Sequence, residues 1–272
     1  MLELNKIYNE DCLLGMPKIP DKSVDMILCD LPYSQTSHHW DSLIPFDKLW
    51  EEYGRIIKDD GAIVLTASQP FTSQLVMSKY EWFRYEWIWE KQRASNFTQV
   101  KRQPLKYHEN ILIFSKKPIK TYNPQRYKVI ELEDIQKMNK KELKSFMENK
   151  DYDKFSKIDR RKNVIDPKSN KNYLGSEGIK RTRYVDDGYR YPKSVLKINN
   201  KLQGNIHPTQ KPVPLFEYLI KTYSNENDIV LDNCMGSGTT AIACINTNRN
   251  FIGFEKDETY YKLALDRIEN HK

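Results

Sequence analysis

Three short, mostly apolar runs in this chain each stop at an acidic residue. Val24-Asp25-Met26-Ile27-Leu28-Cys29 stops at Asp30, Ile229-Val230-Leu231 at Asp232, and Phe251-Ile252-Gly253-Phe254 at Glu255. Runs of this length, bounded by turn residues, read as buried strands. In open α/β sheets ligands gather at the carboxyl ends of strands, so each acid stands where a ligand would bind. Four more runs read as strands: Lys6–Tyr8, Ala62–Thr66, Tyr85–Glu90 and Asn110–Phe114. Helical spacing appears at Phe46, Leu49, Trp50, Tyr53, Ile56 and Ile57, with Asp59-Asp60-Gly61 as its stop. Further helices are expected from Phe71 to Tyr80, up to about Tyr223, from Ala241 to Asn246 and from Asp257 to about Asn270. Strands alternating with helices predict an α/β fold: a mostly parallel, seven-stranded sheet covered on both faces.

Charge divides the chain. The whole carries 44 Lys+Arg against 37 Asp+Glu, a net of +7. Between Lys91 and Lys201 there are 29 basic and 13 acidic residues, so a middle of +16 lies between flanks that sum to −9. A basic region of this kind suits a polyanion. Within it, Lys180-Arg181-Thr182-Arg183-Tyr184 and Tyr189-Arg190-Tyr191-Pro192-Lys193 interleave cations with aromatic rings, a pattern for phosphate contact and base stacking. Glu131 to Asn149 reads as a charged helix, and Lys150 to Asn172 as a loose polar stretch. Mean hydropathy is −0.76, and no apolar run approaches the ~20 residues of a membrane span. The opening Met1–Lys6 has no secretory-signal pattern, and the four cysteines have no metal-type spacing, so a cytoplasmic protein with reduced thiols is expected. His38 and His39 lack acidic or thiol neighbours at ligand spacing; their segment, Ser34 to Asp41, reads as a mobile loop, and no metal is expected.

The stretch Asp30-Leu31-Pro32-Tyr33 carries the sharpest chemistry. Pro32 fixes its own φ and biases Leu31 to an extended conformation, so the turn is stiff and aims a main-chain carbonyl in a set direction. Asp30 adds a carboxylate and Tyr33 a flat ring. Two acceptors beside a stacking platform suit the exocyclic amine of a nucleobase. That amine is a weak nucleophile because its lone pair is delocalised into the ring. Accepting both N–H groups pushes the nitrogen towards tetrahedral geometry, and the carboxylate faces the positive charge that develops there. Tyr33 would stack on a base taken out of the helix.

A second loop, Asp232-Asn233-Cys234-Met235-Gly236-Ser237-Gly238-Thr239-Thr240, runs from a strand into a helix. Its glycines let backbone approach a ligand, the helix N-terminus favours an anionic group, and Glu255 is placed for two ribose hydroxyls. Alone, Gly236-x-Gly238-x-x-Ala241 with Glu255 also fits a dinucleotide fingerprint. Fewer than 40 residues follow Gly236, which would put the second half of a dinucleotide fold before the first, and Asp30 to Tyr33 would go unexplained.

Together, Asp-x-Pro-Tyr, a basic insertion, Pro208-Thr209-Gln210-Lys211-Pro212 and Asp-x-Cys-x-Gly-Ser-Gly-Thr-Thr resemble the β-class DNA amino-methyltransferases, over roughly residues 5–115 and 205–270. The resemblance implies a Rossmann-like methyltransferase fold with permuted motif order. It divides the chain into a catalytic half (1–117), an inserted target-recognition region (118–203) and a cofactor-binding half (204–272). It implies S-adenosylmethionine as cofactor and N6 of a flipped adenine in duplex DNA as target, since Asp rather than Ser opens the catalytic motif; cytosine N4 is the alternative. Asp30, Leu31, Pro32 and Tyr33 are then catalytic. Asp11, Lys211, Asp232, Gly236, Gly238, Thr239 and Glu255 are cofactor-binding. Candidate DNA contacts are Arg93, Lys101, Arg102, Arg181, Arg183, Tyr184 and Arg190. Beside duplex DNA, the resemblance admits a homodimer and a cognate restriction endonuclease as partners. Leu31 stands where Pro is commoner, Cys234 where Phe is common, and Glu10 replaces the Gly before Asp11.

Overall fold

The computed structural model describes residues 2–33, 42–128, 139–140, 189–199 and 210–271. The expected loop at 34–41, charged helix at 131–149 and polar stretch at 150–172 lie outside the described residues, apart from Asn139 and Lys140. Two compact units form: residues 1–125 with 193–272, and residues 126–192.

In the larger unit the elements follow in order. Strand β1 (Lys6–Tyr8), a one-turn helix α1 (Cys12–Gly15) and a 3-10 turn (Met16–Lys18) lead to β2 (Val24–Cys29). Helix α2 (Phe46–Ile56), β3 (Ile57–Ala67), α3 (Phe71–Ser78), a 3-10 turn (Tyr80–Trp82), β4 (Phe83–Glu90) and β5 (His108–Phe114) follow. The smaller unit contributes β6 (Tyr127–Lys128) and β7 (Tyr189–Arg190), an antiparallel pair. Then come β8 (Val195–Lys197), α4 (Val213–Tyr223), β9 (Ile229–Asp232), α5 (Thr239–Asn246), β10 (Asn250–Phe254) and α6 (Glu258–Glu269).

The main sheet has the order β1-β10-β9-β2-β3-β5-β4-β8. Seven of these strands are the ones expected, and the short β8 adds an eighth beside β4. The pairings from β1 through β3 are parallel; β5 is antiparallel to both β3 and β4. Side chains alternate between two apolar layers. Met26, Leu28, Val64, Ile113 and Val230 join one, with α4 and α5 packed on it. Ile27, Cys29, Ile63, Leu65, Phe114 and Leu231 join the other, under α2 and α3. Burial on both faces explains why these strands read as continuous apolar runs.

One boundary differs from expectation. Asp59-Asp60-Gly61 does not stop a helix; α2 ends at Ile56 and β3 begins at the next residue. The acids are tolerated in the strand because Asp59 pairs with Lys116 at 2.9 Å and with Lys22 and Lys117 at 3.1 Å. Those lysines hold its carboxyl well below the usual carboxylate range. Gly61 is required by crowding: a Cβ there would stand 2.6 Å from the Asp25 carbonyl oxygen. Among the described residues no helix is long and apolar enough to cross a membrane.

Candidate active site

Asp30 follows the last residue of β2, and Leu31 behind it is buried. Next to β2 stands β3, whose penultimate residue Thr66 points its hydroxyl at Asp30 Oδ1. Tyr33 Oη lies 2.9 Å from the same oxygen and 3.1 Å from Thr66 Oγ1. The Tyr33 ring stacks on Phe71 of α3 at 4.9 Å and 24°, which fixes its plane. Burial, then the Asp30 charge, push the Tyr33 phenol well above its ordinary pKa, so it stays a neutral donor.

The other oxygen, Oδ2, accepts from Lys211 Nζ at 2.6 Å. Lys211 is 7 % exposed and also stands 3.3 Å from Glu109 Oε2. Glu109, the second residue of β5, accepts from Lys91 Nζ at 2.9 Å through its other oxygen. The result is a chain of alternating charge, Lys91–Glu109–Lys211–Asp30. Burial disfavours the Lys211 ammonium, but Asp30 and Glu109 outweigh it and raise its pKa. Burial likewise disfavours the Glu109 carboxylate, and Lys211 and Lys91 outweigh it and lower its pKa.

The loop after β9 faces the same cavity, whose volume is about 690 Å³. Buried Asp232 spends its oxygens on its own loop: Oδ1 accepts from Cys234 N at 3.0 Å, and Oδ2 from the Thr240 hydroxyl. Burial pushes its pKa up to about 6. Glu255, one residue past β10, accepts from Gly236 N at 2.7 Å and from Asp257 N at 2.8 Å. Burial raises its carboxyl too. Gly236 has φ +52°, and a Cβ there would meet nothing within 4 Å.

Ten of the eleven residues expected in the catalytic and cofactor sets line this one cavity. They are Asp11, Asp30, Leu31, Pro32 and Tyr33 from the first half, with Lys211, Asp232, Gly236, Thr239 and Glu255 from the second. Gly238 is not among the lining residues. It caps α5 at φ +80°, and a Cβ there would press on the Ala264 Cβ at 3.1 Å, so it serves the close approach of α5 and α6. Asp11 caps α1 through Leu13 N at 2.9 Å and pairs with Lys256 at 3.1 Å. Of the expected DNA contacts, Arg93, Lys101 and Arg102 are exposed on the loop between β4 and β5, and none lines the cavity. Arg190 lies in β7. Beside that strand the Arg126 guanidinium sits over the rings of Tyr189 (5.5 Å) and Tyr191 (5.0 Å). Arg181, Arg183 and Tyr184 lie outside the described residues.

Sequence reasoning missed Thr66, Lys91, Glu109 and Asp257. Lys91 and Glu109 had a signal: a cation and an anion just outside two apolar runs that pair as neighbours. Asp257 had one too, since an Asp before a helix caps it, here through Thr259 N at 2.8 Å.

A family model for DNA methylases of the N6/N4 type matches residues 24–266. The chain belongs to this family. The methylase is 30% identical to the Type II methyltransferase M1.MboII of Moraxella bovis, over 99% of both chains. It is 29% identical to the DNA adenine methyltransferase YhdJ of Escherichia coli (strain K12), over 98% of this chain and 83% of that one. Two solved structures share the fold. One is the M1.HpyAVI–SAM complex, with TM-score 0.58, 23% identity and coverage of 96% and 98%. The other is the PvuII cytosine-N4-specific methyltransferase, with TM-score 0.62, 15% identity and coverage of 96% and 85%. The methylase therefore has the Rossmann-like methyltransferase fold.

Proposed function

We propose that this methylase is a site-specific enzyme that methylates N6 of an adenine flipped out of duplex DNA. The observation that carries the reading is the position of the Asp30 carboxylate, at the end of β2, in the same cavity as the Glu255 loop. Identity to an E. coli DNA adenine methyltransferase supports adenine. Likeness to a cytosine-N4 enzyme's fold supports N4 as the second reading.

S-adenosylmethionine is the cofactor, and it supplies an activated methyl group. The residues present fit it. Glu255 keeps lone pairs free for ribose hydroxyls. Gln210 Oε1, on the cavity wall, is a buried acceptor without a hydrogen-bond partner among the described residues, suited to an ammonium group. Asp232 holds the loop in shape, with Gly236 and Thr239 beside it, Gly238 packed behind and Asp11 across the cavity. Lys211, first assigned to the cofactor, spends its ammonium on Asp30 and Glu109. We therefore place it with the catalytic carboxylate, as the group that orients it.

In this mechanism Asp30 and the carbonyl of Leu31 or Pro32 each accept one N–H of the target amine, and Tyr33 stacks on the base. Thr66 and Tyr33 fix Oδ1 and Lys211 fixes Oδ2, so the carboxylate does not have to reorganise as charge develops on nitrogen. The region 118–203 is the proposed target-recognition part, with Arg181, Arg183, Tyr184 and Arg190, while Arg93, Lys101 and Arg102 are proposed phosphate contacts. A homodimer and a cognate restriction endonuclease remain further proposed partners. The test is methyl transfer from labelled S-adenosylmethionine to unmethylated bacterial DNA, followed by digestion to nucleosides. N6-methyladenosine is expected; N4-methylcytosine would overturn the base assignment, and no transfer the activity.

A further inference from the structure

The loop between β4 and β5 leaves the sheet beside the catalytic carboxylate. Strand β5, into which it leads, pairs Asn110 with Ala67, the last residue of β3, and β3 pairs with β2 just before Asp30. Its base is pinned. Lys91 N donates to Tyr107 O at 2.7 Å and Ser95 N to Lys106 O at 3.1 Å. Asn96 clamps the neck, accepting from Lys106 N at 2.6 Å and donating to Pro104 O at 3.0 Å. Lys91 and Ser95 line the active-site cavity, so the loop is part of its rim.

Beyond the clamp the chain makes a 3-10 turn, Phe97–Gln99, closed by Gln99 N to Asn96 O (2.9 Å) and Arg102 N to Gln99 O (2.8 Å). This stiff tip leaves Phe97 59 % and Val100 56 % exposed. Exposed Lys101 and Arg102 follow directly. Single exposed apolar residues are ordinary on protein surfaces. A large ring on a pinned loop that borders the active-site cavity, with two exposed cations shortly after it, has a more specific use.

We propose that Phe97 enters the duplex at the target step and fills the space left by the flipped base, while Lys101 and Arg102 hold the flanking phosphates. This rests on the reading that the methylase flips its target. Apolar side chains that insert between base steps offset the cost of unstacking. The two charges complement the backbone beside the opened step. Rigidity at the neck matters, because a floppy wedge would lose ordering entropy on insertion.

The test uses short duplexes carrying the sequence that the wild-type enzyme modifies in bacterial DNA. In one the target base is paired; in the other it faces an abasic sugar and flips at little cost. Phe97→Ala should lower kcat/KM by roughly tenfold or more on the paired duplex, from the worth of one stacked ring. On the abasic duplex the loss should shrink to a few-fold at most, and Phe97→Trp should restore the paired reaction. Lys101→Ala with Arg102→Ala should weaken both duplexes alike and flatten the salt dependence. Equal losses for Phe97→Ala on both duplexes, or no loss on the paired one, overturn the wedge. A wild-type enzyme that modifies no DNA overturns the methylase reading instead. Unchanged circular dichroism and melting of Phe97→Ala exclude misfolding as the cause.

Discussion

Replacing Lys211 by methionine should remove about 3–5 kcal/mol of folding stability, the usual cost of stripping one partner from a buried ion pair. The geometry supports the upper part of that range. Lys211 Nζ stands 2.6 Å from Asp30 Oδ2 and 3.3 Å from Glu109 Oε2. At an effective dielectric of roughly 20, each attraction is worth about 5–6 kcal/mol before solvation is subtracted. The desolvation cost of the ammonium disappears with the side chain, which offsets part of the loss. Two carboxylates then remain in one cavity, with Lys91 beside Glu109. Adding Glu109→Gln to Lys211→Met removes one of those charges and leaves Lys91 a neutral acceptor. The double variant should therefore be less destabilised than the sum of the single variants by at least about 1 kcal/mol. Denaturant unfolding at pH 7, followed by circular dichroism, measures all three. A single-variant loss below about 1 kcal/mol, or strict additivity, would refute the argued coupling.

Three further outcomes follow from the site. Asp30→Ala should abolish methyl transfer while the cofactor still binds; equilibrium binding and turnover measured on one preparation separate the two, and lost cofactor binding would refute the role. Gly238→Ala should destabilise the fold by about 1–2 kcal/mol, because φ +80° strains an L residue and the new methyl meets Ala264; a thermal melt reports it. Burial raises the folded pKa of Asp232 to about 6, so its contribution to stability is full below about pH 4 and is lost as pH rises through 6. Asp232→Asn should therefore gain about 2–3 kcal/mol relative to wild type between pH 4 and pH 7. An unchanged difference at the two pH values would show that the carboxyl is not perturbed.

Much of this architecture was legible because the central strands are buried on both faces. Val24–Cys29 and Ile229–Leu231 therefore read as apolar runs, and the acids that end them mark where polar chemistry begins. The start of β3 was hidden. Asp59, Asp60 and Gly61 look like a helix stop, and only distant lysines and the crowding carbonyl of Asp25 make them strand residues. The ion chain was hidden for the same reason: 181 residues separate Lys211 from Asp30, and no local pattern joins them. Cys12 and Cys234 look unrelated, yet Asn233 reaches both thiols, at 3.6 and 3.5 Å.

The strand order has a consequence for how the enzyme comes into being. In the finished sheet β10 and β9 stand between β1 and β2. As the chain leaves the ribosome, β1 therefore has no neighbour, and the β2 edge lacks its later partner until residues near 230 emerge. Bare edges of this kind invite pairing with foreign strands. Closing the gap requires contacts between distant residues, which form slowly. Glu255 reaches the cavity only when that insertion is complete. The cavity that Asp30 and Glu255 share thus closes only late in synthesis, and a half-made chain lacks the walls that residues 210–260 supply.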